Sequence, residues 1–189
     1  NFHGSSGFGQ QFADSINPDQ ATLPYADTIK AAEWFMGQPW IDSTRMVAGG
    51  GSYGGYLATT LLGREHPFNA LIAHAAVYNE YTQLGSDYGA EKPRFYHYWE
   101  KPAEFQANSP HMAAANFKTP TLVIHGQLDQ RVPVNHGMEL FNTLQTKGIP
   151  SKFVYFPDEN HWVLKPQNSL FWYQQVQDWV THYAAPGAR

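Results

Sequence analysis

Three side chains in this sequence have the types and surroundings needed for nucleophilic catalysis: Ser52, Asp129 and His161. Ser52 sits in Gly49-Gly50-Gly51-Ser52-Tyr53-Gly54-Gly55, where Gly50, Ser52 and Gly54 spell a G-x-S-x-G pattern. A serine hydroxyl is a poor nucleophile at neutral pH and needs a base beside it. An imidazole such as that of His161 can take the proton and later return it to a leaving group. A carboxylate behind the imidazole, the part assigned to Asp129, fixes its tautomer and stabilises the imidazolium. The amide of Tyr53, the residue after the serine, is free to stabilise an oxyanion. Glycines around the serine suit a strained turn that bulky neighbours would block.

These groups need elements to bring them together. A strand-like run at 45–48 precedes the glycines, and a helix-like run at 56–62 follows them, ending near Gly63. Strand, sharp turn and helix make the context of a nucleophile elbow. Residues 1–23 read as loop, and 24–36 as a helix with Pro24 in its first turn. Residues 68–76 and 121–125 are apolar runs of the buried-strand type, and 152–156 is a third strand after the elbow. Residues 135–147 read as a helix stopped by Gly148, and 167–183 as a terminal amphipathic helix. Residues 78–118 read as an irregular, partly helical excursion. Strands separated by helices imply parallel βαβ units, hence an α/β fold with a mostly parallel sheet flanked by helices.

In such a sheet, functional groups belong in the loops at the carboxyl ends of the strands. Ser52 follows the first strand, Asp129 follows 121–125 and His161 follows 152–156. Their order, Ser, Asp, His, is that of α/β-hydrolases. Competing assignments exist. Asp129 also suits an ordinary turn or helix cap. Asp158 and Glu159 are nearer in sequence to His161 but share its loop, and Asp87 lies in the excursion. His74 and His125 fall within strands and read as structural.

Composition narrows the field further. The 189 residues carry 12 Lys and Arg against 16 Asp and Glu, a net charge of −4, with no basic run to hold nucleic acid. No apolar stretch approaches the roughly 20 residues that span a bilayer. The absence of cysteine excludes disulfides and thiolate chemistry. There is no H-E-x-x-H motif and the nine histidines are scattered. The expected chemistry uses no metal and no cofactor.

The chain resembles the C-terminal hydrolase domain of the prolyl oligopeptidase family of serine peptidases, of the acylaminoacyl-peptidase and dipeptidyl-peptidase type. Five stretches carry the resemblance: the opening Asn1-Phe2-His3-Gly4-Ser5-Ser6-Gly7-Phe8-Gly9-Gln10-Gln11-Phe12, the elbow from Gly50 to Tyr56, Ser109-Pro110, the run from Thr119 through His125-Gly126 to Asp129 and Pro133, and Pro157-Asp158-Glu159-Asn160-His161. It implies Ser52 as nucleophile, His161 as base, Asp129 as its partner and Tyr53 as an oxyanion donor. His3 stands where the family usually carries arginine.

The resemblance also implies one partial α/β-hydrolase catalytic domain over 1–189, lacking the domain's first strands and the family's second oxyanion donor. Two expectations rest on that. The elbow strand is an open edge, so a homo-oligomer forms through it. With one oxyanion donor lost, short-chain acyl esters are hydrolysed more readily than peptides. The alternatives are a peptidase in a longer parent protein and an inactive binding or assembly module. Aromatic residues of the excursion, Tyr78, Tyr81, Tyr88, Trp99 and Phe105, are candidates to line the cleft.

Overall fold

Four short apolar segments pair side by side into one parallel sheet, ordered as they occur in the chain. The computed structural model describes residues 1–17, 19–88 and 97–185, so part of the excursion lies outside the described residues. The strands are β1 (Val47–Gly51), β2 (Ala70–His74), β3 (Thr121–Gly126) and β4 (Ser151–Phe156). The register aligns Gly51 with His74, His74 with Ile124, and Gly126 with Phe156, so the carboxyl ends of all four strands meet at one edge. The helices are α1 (Gln10–Asp14), α2 (Thr22–Met36), α3 (Tyr53–Leu62), α4 (Glu80–Gln83), α5 (Pro102–Ala107), α6 (Asn135–Thr146) and α7 (Pro166–Tyr183), with a 3-10 helix at Pro110–Asn116.

The alternation of side chains along the strands sorts the core into two layers. Leu71, Ala73 and Val123 face one way and pack with Leu61, Leu62, Leu140 and Leu144 of α3 and α6. Ile72, Leu122, Ile124, Val154 and Phe156 face the other way, against Val163 and against Trp172, Val176, Trp179 and Val180 of α7. β3, central and covered on both faces, is buried at all six positions. This three-layer, parallel arrangement is the α/β architecture read from the sequence.

The differences from the sequence reading concentrate around the glycines. β1 extends through Gly49, Gly50 and Gly51 instead of stopping at 48, and α3 begins at Tyr53 instead of 56. Glycine is a poor strand and helix former, so propensity alone makes this run a turn. Close packing is what decides otherwise. A Cβ at Gly49 would lie 2.9 Å from the Cβ of Ile72, one at Gly50 would lie 2.5–2.7 Å from the Gly54 backbone, and one at Gly55 would lie 2.7 Å from Ala76. β1 and α3 therefore pack with almost no side-chain layer between them. Residues 1–23 are likewise not all loop, since they contain α1 and the start of α2.

Candidate active site

The serine lies where β1 turns directly into α3. Ser52 has φ 57 and ψ −116, a conformation that non-glycine residues rarely adopt. Its backbone is held on both sides: Ser52 N donates to His74 O at 3.0 Å, and Tyr56 N donates to Ser52 O at 2.9 Å. Tyr53 is the first helical residue, so its N–H belongs to the first turn, where donors lack intrahelical acceptors. The Tyr53 side chain is turned away from that task. Its hydroxyl donates to Gln20 O at 2.7 Å, and its ring stacks on Phe2 with centroids 5.7 Å apart. Burial, with Asp19 nearby, pushes the phenol well above its ordinary value.

Asp129 divides its carboxylate between two tasks. Oδ1 accepts from Arg131 N at 2.9 Å and Val132 N at 2.8 Å, which builds the turn after β3. Oδ2 lies 2.8 Å from His161 Nδ1. The side chain of Asp129 is fully buried, and that of His161 retains 14% exposure. Burial alone raises the carboxyl, but hydrogen bonds from His125, His161 and Val132 N outweigh it and hold the group well below the ordinary carboxylate range. Both readings of Asp129 from sequence, turn residue and histidine partner, are therefore seen in one side chain.

The rival acids point elsewhere. Glu159 is buried and accepts from Leu164 N, Lys165 N and Asn168 Nδ2, fixing the segment that enters α7. Asp158 pairs with Lys165 at 2.6 Å, and Asp87 pairs with Arg131 Nε at 2.8 Å. The loop carrying His161 is laid across the end of β3. Leu128 N donates to Glu159 O at 2.9 Å, and Gln127 N donates to Phe156 O at 2.8 Å.

Ser52 and His161 line the same open cleft, about 760 Å³ in volume. Tyr53, Tyr56, Val77, Glu80, Tyr88, Leu128, Arg131 and Trp162 are also in its wall. Of the excursion's aromatic candidates, only Tyr88 is there. Tyr78 is buried with its hydroxyl on Thr143, Tyr81 packs on Tyr98 and Phe105, and Trp99 stacks on His97. The sequence reading passed over Trp162, which is 65% exposed at the cleft beside His161. Its position next to the candidate base was the available signal. His3 is a structural tie: its backbone N and Nδ1 reach Asp27 Oδ2 at 2.8 and 2.5 Å, pinning the opening segment to α2.

His125, read from sequence as structural, is bonded through Nε2 to Val132 O at 2.8 Å. Its ring is completely buried, with Nε2 3.5 Å from Asp129 Oδ2. His74, at the end of β2, has a buried Nε2 with no hydrogen-bond partner. Burial, helped by the nearby rings of His125 and His161, lowers its pKa to about 4. Among the described residues, no group of three or more His, Asp or Glu is arranged to hold a metal ion. Nor is any helix among them long and apolar enough to cross a membrane.

With this geometry in view, comparison with known proteins decides the family. Residues 1–187 match the prolyl oligopeptidase family. The chain belongs to that family of serine hydrolases. Relatives include dipeptidyl-peptidase 5 of Schizosaccharomyces pombe, 40% identical over 191 residues, which cover 95% of this chain and 27% of that protein. The probable dipeptidyl-peptidase 5 of Emericella nidulans is 37% identical over 190 residues, covering 96% of this chain and 26% of that protein. This prolyl oligopeptidase family chain thus spans about a quarter of the length of the curated relatives it matches. Acylaminoacyl peptidase of Pyrococcus horikoshii superposes with a TM-score of 0.91 at 23% identity, covering 99% of this chain and 32% of that one. That likeness establishes the α/β-hydrolase fold.

Proposed function

We propose that this chain is the catalytic portion of a serine peptidase that acts near the N-termini of peptides, through an acyl-enzyme on Ser52. His161 takes the Ser52 proton as the hydroxyl attacks the scissile carbonyl, and Asp129 holds the imidazole by its Nδ1. The developing oxyanion is met by the Tyr53 amide at the head of α3. The proton then passes from His161 to the departing amine, and water, activated by the same imidazole, releases the acyl group. The observation that carries this reading is the 2.8 Å contact from His161 Nδ1 to Asp129 Oδ2, made at the rim of a cleft that Ser52 also lines.

The preference for short-chain esters expected from the sequence finds no support among the relatives, whose names are those of peptidases. Dipeptidyl and N-acyl-aminoacyl groups are accordingly the favoured acyl donors. The cleft suits an extended peptide end, with Tyr88, Val77 and Trp162 offering apolar contact and Glu80, Arg131 and Gln130 offering polar contact. Dipeptidyl-anilides, N-acetyl-aminoacyl-anilides and p-nitrophenyl butyrate should be compared as substrates, with Ser52→Ala as the control. Anilide turnover lost in Ser52→Ala with the fold intact is the expected result. Ester turnover alone would reinstate the esterase reading, and a Ser52 that fails to react with a fluorophosphonate would leave a binding module.

A further inference from the structure

We infer that His125 is a positioning residue for the Asp129–His161 pair, a second imidazole whose N–H lies beneath the same carboxylate. The inference rests on the catalytic reading of Ser52, Asp129 and His161 given above.

The geometry defines the tautomer. His125 Nε2 lies 2.8 Å from the carbonyl oxygen of Val132. A carbonyl can only accept, so Nε2 carries a proton. The same nitrogen is 3.5 Å from Asp129 Oδ2, the oxygen that receives His161 Nδ1. The N–H thus binds Val132 O directly, and its nitrogen stays within 3.5 Å of Oδ2. The other nitrogen, Nδ1, is buried without a partner. It faces Gly137 of α6, where a Cβ would come within 2.8 Å. A proton on Nδ1 would find no acceptor there, and burying an unpaired donor is costly. His125 is therefore fixed with its proton on Nε2.

Two consequences follow for the pair above. Asp129 is clamped by three donors, Arg131 N and Val132 N on Oδ1 and His161 Nδ1 on Oδ2, with His125 Nε2 3.5 Å from Oδ2. Val132 O is held in turn by His125, so the 129–132 turn is braced from inside the sheet. The His125 N–H also draws charge from Oδ2 and so weakens its pull on the His161 proton. Among the described residues, His74 on β2 is a further titratable neighbour of this cluster. On the His161 loop, Asp158 and Glu159 turn toward Lys165 and Asn168. α6 presents Gly137 to the ring.

The test separates this role from packing. In His125→Leu the donor is gone, Oδ2 holds the His161 proton harder, and the acid limb of the kcat/KM profile moves to higher pH by roughly half to one unit. In His125→Gln an amide N–H reaches the former Nε2 position, and the limb returns toward that of the parent. An unmoved limb in both variants, whatever the loss in rate, overturns the proposal. Should the leucine variant fail to fold, His125→Asn replaces it, because its shorter amide cannot reach Oδ2. A measurement on the unmodified protein stands beside these. Nitrogen-15 NMR of its histidines should show His125 protonated at Nε2 and bare at Nδ1, and the opposite tautomer would refute the argument. Fluorophosphonate labelling of Ser52 in the parent tests the underlying catalytic reading separately, because the tautomer of His125 can be read whether or not Ser52 reacts.

Discussion

Replacing Gly126 with alanine should disable the site while leaving most of the fold in place. Gly126 ends β3, and the loop that carries His161 passes directly over it. A Cβ there would meet Asn160 O at 2.3 Å, Glu159 O at 2.5 Å and Glu159 C at 2.8 Å. These are backbone atoms, so no rotamer change relieves the contact. Ordinary contact begins near 3.4 Å, so the loop must lift by about 1 Å. The same shift applied to His161 would stretch its 2.8 Å contact with Asp129 beyond hydrogen-bonding range. Misplacing a catalytic group by about 1 Å costs on the order of 10²-fold in rate. Overpacking of this kind costs about 1–3 kcal/mol in stability, which the protein should survive at room temperature. The assay is kcat/KM on the best anilide substrate, measured well below the melting transition, together with the melting temperature. A variant within threefold of the parent rate would refute the claim that this close passage positions the base.

Ser52→Gly should abolish hydrolysis and raise stability by about 1 kcal/mol, because glycine adopts φ 57 without the strain a side chain suffers; a lower melting temperature would contradict this. Acid should weaken the fold by way of His74. Its folded pKa, near 4, lies below the ordinary 6.5, so the unfolded chain takes up a proton that the fold refuses. Stability from this group is full above the unfolded value and falls by about 3 kcal/mol as the pH drops from 6.5 to 4. Urea titrations at several pH values should show that slope in the parent and lose it in His74→Leu, and parallel slopes in the two would refute it. Asp129 acts at lower pH. Its depressed carboxyl contributes stability above its ordinary value near 3.8, lost as the pH falls through the folded value.

What was readable in the sequence, and what was not, follows the range of the forces involved. Period and composition carried the strands and long helices, because burial of apolar runs such as Thr121-Leu122-Val123-Ile124 depends on local sequence. The Ser, Asp and His candidates were legible because topology places the ends of parallel strands at one edge. The glycine run was misjudged at both ends, since only the approach of α3 to β1 makes Gly49 and Gly50 strand residues. His125 reads as structural from sequence, and its buried place in β3 agrees with that. Its contact with Asp129 joins a strand interior to the turn that follows, and no periodicity reports which way a buried ring faces. The aromatic excursion misled because aromatic content signals burial as well as ligand contact, and most of its rings pack on one another.

The sheet order explains why the His161 loop must take the course it does. Adjacent strands lie about 4.8 Å apart, so β4, three strands from β1, ends about 14 Å from the elbow. β2 and β3 stand between them. A histidine leaving β4 reaches the serine's neighbourhood only by folding back over the end of β3, and Gly126 clears that path. β2 also gives way. Just past its end, Ala75 takes φ 44, unusual for a residue with a side chain, and the chain turns off to begin the excursion. Asp129 leaves β3 midway, close enough to receive the returning imidazole, and its turn is closed from below by His125 on the same strand. The arrangement therefore depends on backbone clearance at two strand ends as much as on the three polar side chains. That dependence is why the Gly126 substitution, which removes no polar group, should cost the enzyme so much of its rate.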